Sequence, residues 1–194
     1  MSRLLHRRDV VRVLLEDRGG MLVVGGLGAP AWDITSTGDH PLSFPMWGAM
    51  GGAAMIGLGL ALAQPKLKVA VVTGDGEMLM GMGSLATIGV KQPKNLAVVV
   101  FDNGFYGETG MQESHTSGGI DLCEVARGCG IAQILEVDDD SGLRRLSELI
   151  RTGEGPLFAR VRISPDEPPR VLPEKDGIAI KQRVRKAVER ANSV

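Results

Sequence analysis

Cysteine is nearly absent from this sequence, which has only Cys123 and Cys129. Two thiols are too few for a four-ligand zinc or iron–sulfur site and define no disulfide framework, so both are expected as reduced thiols on or near a helix. An excess of one charge is missing too. The 22 basic residues are balanced by 23 acidic ones, which removes the global signature of nucleic-acid binding or of a polybasic membrane anchor. A long apolar run is also lacking. The N-terminal MSRLLHRRDVVRVLLEDRGG is interrupted by Arg12, Glu16 and Asp17, so it reads as neither signal peptide nor membrane span. The Gly-, Ala- and Met-rich stretch from Trp47 to Ala63 falls just short of a bilayer and reads as a buried helix. These absences lead to the expectation of a cytoplasmic protein whose partners are recognised at local sites. The 194 residues allow one full-sized domain and a tail, not two comfortable domains.

What is present is an alternation of apolar runs and helix-length segments, the pattern of an α/β domain with a parallel sheet. Val10, Val11, Val13, Leu14 and Leu15 fit a first helix stopped by Gly19-Gly20, and MLVVGG reads as a short buried strand. Gly26 to Ala31 resembles a fragment of the dinucleotide fingerprint. Pro30 occupies its variable stretch and no acidic ribose ligand follows, so a tight strand-to-helix turn is the preferred reading. Residues 32–45 lack a period and are expected to form a connecting loop. From Gly48, GAMGGAAMIGLGLALAQP predicts a helix ending at Pro65, whose small residues permit close approach of another backbone. A strand over Lys68–Thr73, one crossover helix over Glu77–Val90 and a strand over Asn95–Phe101 follow. After the long polar loop DNGFYGETGMQESHTSGG come a helix near Asp121–Cys129, a strand near Gln133–Val137, a helix near Ser141–Arg151 and a strand near Pro156–Ile163. Asp138-Asp139-Asp140 reads as a helix cap rather than a metal cluster. The domain is placed at residues 1–165. Residues 166–194 are left as a proline-containing linker and a basic C-terminal helix over Ile178–Ala191.

Val69 to Gly110 carries the chemistry. One apolar run ends in Gly74-Asp75-Gly76 and the next in Asp102-Asn103-Gly104, which places both clusters at the ligand-binding edge of a parallel sheet. A carboxylate and an amide oxygen beside glycines that expose the backbone suit a hard cation carrying a phosphorylated ligand. Amides opening the next helix can donate to the phosphates.

GDG, 25 further residues, then DNG resembles the signature of the thiamine diphosphate enzymes. Asp102 stands where many members have a first Asn, while Asn103 matches the metal-binding second position. GAMG at Gly48–Gly51 adds a second match, to the pyrophosphate-binding (PP) domain. SFPMWGAMGGAAMIGLGLALAQP, GDGEMLMGMGSLATIG and KNLAVVVFDNGFYGETGMQ are similar to the sulfopyruvate decarboxylase β subunit and the C-terminal half of phosphonopyruvate decarboxylase, over most of residues 1–165.

The resemblance implies a three-layer α/β/α, doubly wound, mostly parallel sheet that binds thiamine diphosphate and Mg2+. Asp75 and Asn103 would ligate the metal through side chains and Phe105 through its carbonyl. Gly74, Gly76, Glu77, Tyr106 and Gly107 would line the diphosphate, with only the backbone amide of Glu77 facing it. Met50 would support the bent cofactor, and the backbone of Gly48 and Met50 would bond its aminopyrimidine. Thr109 and Gln112 match a segment near the substrate, which makes them candidate hydrogen-bonding residues. His115 is a candidate proton shuttle or anion contact, beside the alternative of a loop histidine without a role. The implied reaction is decarboxylation of a 2-oxo acid to carbon dioxide and an aldehyde. A carboligase of the acetolactate-synthase type and a non-catalytic cofactor-binding module remain alternatives.

One part of that machinery is absent from the sequence. The glutamate that activates the cofactor comes, in this family, from a pyrimidine-binding (PYR) domain of about 160 residues or more, and no such length is left over. The resemblance therefore implies a separate PYR subunit, in an α2β2 assembly.

Overall fold

In a computed structural model, which describes residues 4–191, six parallel strands form one sheet with helices on both faces. The elements run α1 (Arg7–Leu15), β1 (Leu22–Gly25), α2 (Ala29–Ser36), β2 (Ser43–Pro45), α3 (Ala53–Ala63), β3 (Val69–Gly74), α4 (Asp75–Met80), α5 (Ser84–Lys91) and β4 (Leu96–Asp102). After a small antiparallel pair, β5 (Phe105–Tyr106) with β6 (Gln112–Glu113), come α6 (Leu122–Gly128), β7 (Gln133–Val137), α7 (Asp140–Thr152), β8 (Leu157–Arg162) and α8 (Gly177–Ala191).

Successive side chains of a strand point to opposite faces, and the central strands are apolar on both. Val24, Val71, Val98 and Phe158 meet α3, α5, α6 and α8 on one side. Val23, Val72, Val99 and Val161 meet α1, α2 and α7 on the other. This explains why the strands read as continuous apolar runs instead of alternating ones. Gly57 on α3 is where the helix comes closest to the sheet: a Cβ there would lie 2.1 Å from Val71 Cγ2. The strand order is β2-β1-β3-β4-β8-β7. The chain leaves β1 towards one edge and β3 towards the other, so the topological switch point lies between them.

Three expectations need correction. Residues 32–45 are not a connecting loop, because most of them belong to α2 and β2. Pro30 opens α2, where its missing N–H costs nothing, and the helix buries Ala31, Trp32, Asp33 and Ile34. The helix expected from Gly48 starts only at Ala53; Gly48–Gly52 form a turn with Ala49 at φ 58° and Gly51 at φ 91°. The single crossover helix over Glu77–Val90 is two helices, parted at Gly81-Met82-Gly83. Gly81 lies so close to the Gly51 carbonyl that a Cβ would fall 2.2 Å from it. Asp139 caps α7 as expected, accepting from Gly142 N–H at 2.7 Å. The C-terminal α8 packs Ile180 and Val184 into the core and pairs Arg183 with Asp39. Among the described residues, no helix is long and apolar enough to cross a membrane.

Candidate active site

Register places the two motifs at one level. Thr73 lies opposite Val100 and Gly74 opposite Phe101, so the residues that follow β3 and β4 leave the sheet side by side. They open into a cleft of about 330 Å3 at the switch point, within the usual size of ligand sites.

Asp75 is 2% exposed. Its Oδ2 accepts from Ser114 Oγ, and from Thr116 Oγ1 at 3.2 Å. The single proton of the Thr116 hydroxyl is shared between Asp75 and Asp102, whose Oδ1 lies 2.8 Å away and accepts from Gly104 N–H as well. Burial pushes the Asp75 carboxyl above its usual range and the Asp102 charge pushes it further, against the pull of the Ser114 and Thr116 hydroxyls. No ion pair reaches Asp75 or Asp102 among the described residues. Two neighbouring carboxylates without a cationic partner suit a divalent cation. Asn103 lies beside them with its Oδ1 accepting from Phe105 N–H at 2.9 Å, which leaves a second lone pair on that oxygen. Gly76 fits under the Tyr106 ring, where a Cβ would stand 2.5 Å from Cε1.

Glu77, also buried, is used differently. Its Oε2 accepts from Leu27 N–H at 2.9 Å and from Thr73 Oγ1 at 2.8 Å, and its Oε1 from Gly51 N–H at 3.3 Å. One carboxylate thereby ties β3 to the turn after β1 and to the Gly48–Gly52 turn, as an acceptor for otherwise orphaned donors. In that turn the left-handed Ala49 and Gly51 flank Met50, whose side chain is 39% exposed and lines the cleft.

Of the residues singled out in the sequence, Met50, Gly74, Asp75, Gly76, Glu77, Asn103, Phe105, Tyr106, Gly107 and Thr109 line this cleft. Gly48, Gln112 and His115 lie outside its lining and are exposed. Gln112 is engaged with Thr109 in two hydrogen bonds, of 3.0 and 2.8 Å. His115 Nδ1 is 3.3 Å from the Tyr106 hydroxyl. Sequence reasoning missed Ser114 and Thr116 as partners of Asp75, the tying role of the Glu77 side chain, and the arginines of the lining. Arg7 and Arg170 line the cleft with Trp32, beside Glu108, Asp166 and Glu167. The clustered hydroxyls of the ESHTS segment were the one available signal.

A second group of potential metal ligands, Asp121, Cys123 and Glu136, is served by Arg160. Its guanidinium lies 2.7 Å from Glu136 and 3.9 Å from Asp121. Burial pushes the Cys123 thiol up to about 12, which keeps it protonated and a poor ligand.

Comparison with known proteins identifies the family. Residues 27–161 match the thiamine pyrophosphate enzyme, C-terminal TPP binding domain. The chain is 43% identical over 129 residues to the sulfopyruvate decarboxylase subunit beta of Methanocaldococcus jannaschii, covering 66% of this chain and 68% of that protein. It is 38% identical over 157 residues to the phosphonopyruvate decarboxylase of Streptomyces viridochromogenes, covering 79% of this chain and 38% of the relative. An X-ray structure of a protein from Mycobacterium smegmatis, assigned as a thiamin diphosphate-dependent enzyme, superposes with a TM-score of 0.71 at 22% identity over 84% of this chain and 32% of the other. At that identity the likeness speaks for the fold.

Proposed function

The chain belongs to the thiamine pyrophosphate enzyme family, and on that premise we propose that it is the PP-domain subunit of a Mg2+-dependent 2-oxo acid decarboxylase. Its substrate is a small anionic 2-oxo acid such as sulfopyruvate or phosphonopyruvate, released as carbon dioxide and an aldehyde. The names of the relatives support this choice. The observation that carries the reading is Asp75, a buried carboxylate without a cationic partner among the described residues, sharing one cleft with Asn103, Met50 and the Gly76–Tyr106 contact.

Thiamine diphosphate, when bound, supplies the electron sink that lets the 2-oxo acid lose its carboxylate. The chain's own residues hold and orient. Asp75, Asn103 and the Phe105 carbonyl are the metal ligands, and Ser114 and Thr116 fix the Asp75 carboxylate. The backbone at Gly74, Gly76 and Glu77 faces the diphosphate together with Tyr106 and Gly107, while the Glu77 carboxylate is held away by its three donors. Met50 would support the cofactor, and the backbone of Gly48 and Met50 would hold its aminopyrimidine. Thr109 and Gln112 are the substrate-side hydrogen-bonding pair, and His115 a proton or anion contact reached through Tyr106.

The activating glutamate comes from a separate PYR-domain subunit in an α2β2 assembly. Two facts support a partner: the subunit names of the relatives, and the apolar surface of Met50, Met80 and Met82 around the Gly51–Gly81 contact, exposed by 39, 67 and 37%. The purified chain alone is expected to be inactive on sulfopyruvate, phosphonopyruvate and pyruvate. Adding the partner restores carbon dioxide release, and robust decarboxylation without it contradicts the reading. Product analysis of the complex separates aldehyde release from carboligation.

A further inference from the structure

Beyond the end of the family match at Val161, residues 165–170 line the cleft, on a segment that is tied down at three points. Ser164 N–H donates to the Leu5 carbonyl at 2.8 Å, Arg8 Nη2 donates to the Pro169 carbonyl, and Trp47 Nε1 donates to the Glu174 carbonyl at 2.6 Å. Between these tethers the proline-rich strap lines the cleft and presents Arg170 to it.

The Arg170 guanidinium lies 4.5 Å from the centroid of the buried Trp32 ring, which holds it as a cation over an aromatic plate. Its Nη2 is 3.6 Å from Glu108 Oε2. The Glu108 side chain reaches back to Gly28, at φ 76° just before α2, where a Cβ would meet the carboxylate at 3.0 Å. A second cation backs this wall. Arg7 is 7% exposed, lines the cleft, and its Nε has no hydrogen-bond partner. Its only ion-pair partner among the described residues, Asp33, lies 3.3 Å away but misaligned, and is shared with Arg8 at 2.7 Å. One carboxylate thus serves two guanidinium groups, and the Arg7 side chain lines the cleft with an unpartnered Nε, on a lining that also holds Asp166 and Glu167. Burial pushes the Glu108 carboxyl above its ordinary range and the Glu167 charge adds to the push, against the pull of Arg170 and Arg7.

We propose that Arg170, backed by Arg7, binds an oxyanion of the cleft ligand, and that Glu108 is the resident competitor which this oxyanion displaces. The assignment rests on the proposed function, which supplies two sources of the same chemistry: the diphosphate of the cofactor and the sulfonate or phosphonate of the substrate. Either presents the tetrahedral oxygens that a guanidinium fork matches.

The test is calorimetry on the full chain with two probes, inorganic diphosphate for the cofactor end and sulfoacetate for the substrate end. Arg170→Gln weakens one probe about tenfold or more, and the probe affected identifies the source; Arg170→Lys recovers part of the loss. Glu108→Gln leaves that affinity unchanged or raises it, because it removes the competitor. The opposite behaviour of the two variants separates anion binding from a latch that merely holds the strap, for which both would weaken binding alike. The inference is overturned if Arg170→Gln binds both probes within twofold of the wild type, if the two variants fall together, or if the wild type binds neither probe. A parallel titration with thiamine diphosphate and Mg2+ keeps the readings apart: its failure alone, with the Arg170-dependent probe intact, contradicts the proposed function and not this assignment.

Discussion

Where β3 and β4 end, Asp75 and Asp102 share the Thr116 hydroxyl with no cationic side chain paired to either among the described residues; beside the cleft-lining Arg7, Asp33 is shared by Arg7 and Arg8, and the Arg7 Nε has no hydrogen-bond partner. Both places bury a charged group that its neighbours do not fully satisfy, a carboxylate in one and a guanidinium in the other. Burying an uncompensated charge costs several kcal/mol, so neither place is explained by stability alone. A ligand carrying both a cation and oxyanions, such as a metal diphosphate, satisfies both. The comparison also separates two adjacent acids. Glu77 has three donors from surrounding elements and fastens the site together, while Asp75 receives two hydroxyls and is left facing the cleft.

The largest effect is expected at Asp33. Asp33→Ala leaves Arg7 and Arg8 without their shared carboxylate and lowers unfolding free energy by about 3–5 kcal/mol, read by urea denaturation. A loss below about 1 kcal/mol would mean that the two guanidinium groups are already compensated by other means. Next, Glu77→Ala strands two backbone amides and the Thr73 hydroxyl and costs about 3 kcal/mol. Glu77→Gln, which keeps an acceptor oxygen, costs less than half as much; equal losses would contradict the tying role.

The smallest effect concerns Asp75 and depends on pH. Asp75 has a folded-state pKa raised above its unfolded value, so its contribution to stability is present below the ordinary carboxylate pKa of about 3.9 and is lost as pH rises through the folded value. Asp102→Asn removes the neighbouring charge, and in metal-free buffer this decline becomes shallower, by about 1 kcal/mol at pH 7. Millimolar Mg2+ recovers most of the decline in the wild type. An Asp102→Asn curve that runs parallel to the wild-type curve, or a wild-type stability indifferent to Mg2+, would contradict this reading of Asp75.

The legibility of the sequence follows the same division. Runs such as Leu96–Asp102 announced the parallel strands because a strand buried on both faces needs apolar residues throughout, and the strand ends then located Asp75 and Asn103. Local chemistry was enough there. α2 was not legible: from Trp32 onward its Asp33, Thr35 and Ser36 read as loop, and it is helical because Asp33 finds Arg7 and Arg8 while Trp32 and Ile34 are buried. The break at Gly81 depends on the Gly51 backbone, and the cleft lining joins Arg7, Trp32, Glu108 and Arg170 from four separate parts of the chain. Such convergence leaves no periodic trace in sequence.

The most direct measurement is isothermal titration of the chain with thiamine diphosphate, with and without Mg2+, for the wild type and Asp75→Ala. The expected result is binding by the wild type that requires the metal, and no detectable metal-dependent binding by Asp75→Ala, with the fold intact by circular dichroism. Equal affinity of the two proteins in Mg2+ would contradict the assignment of Asp75, and with it the reading of this cleft as a metal-diphosphate site.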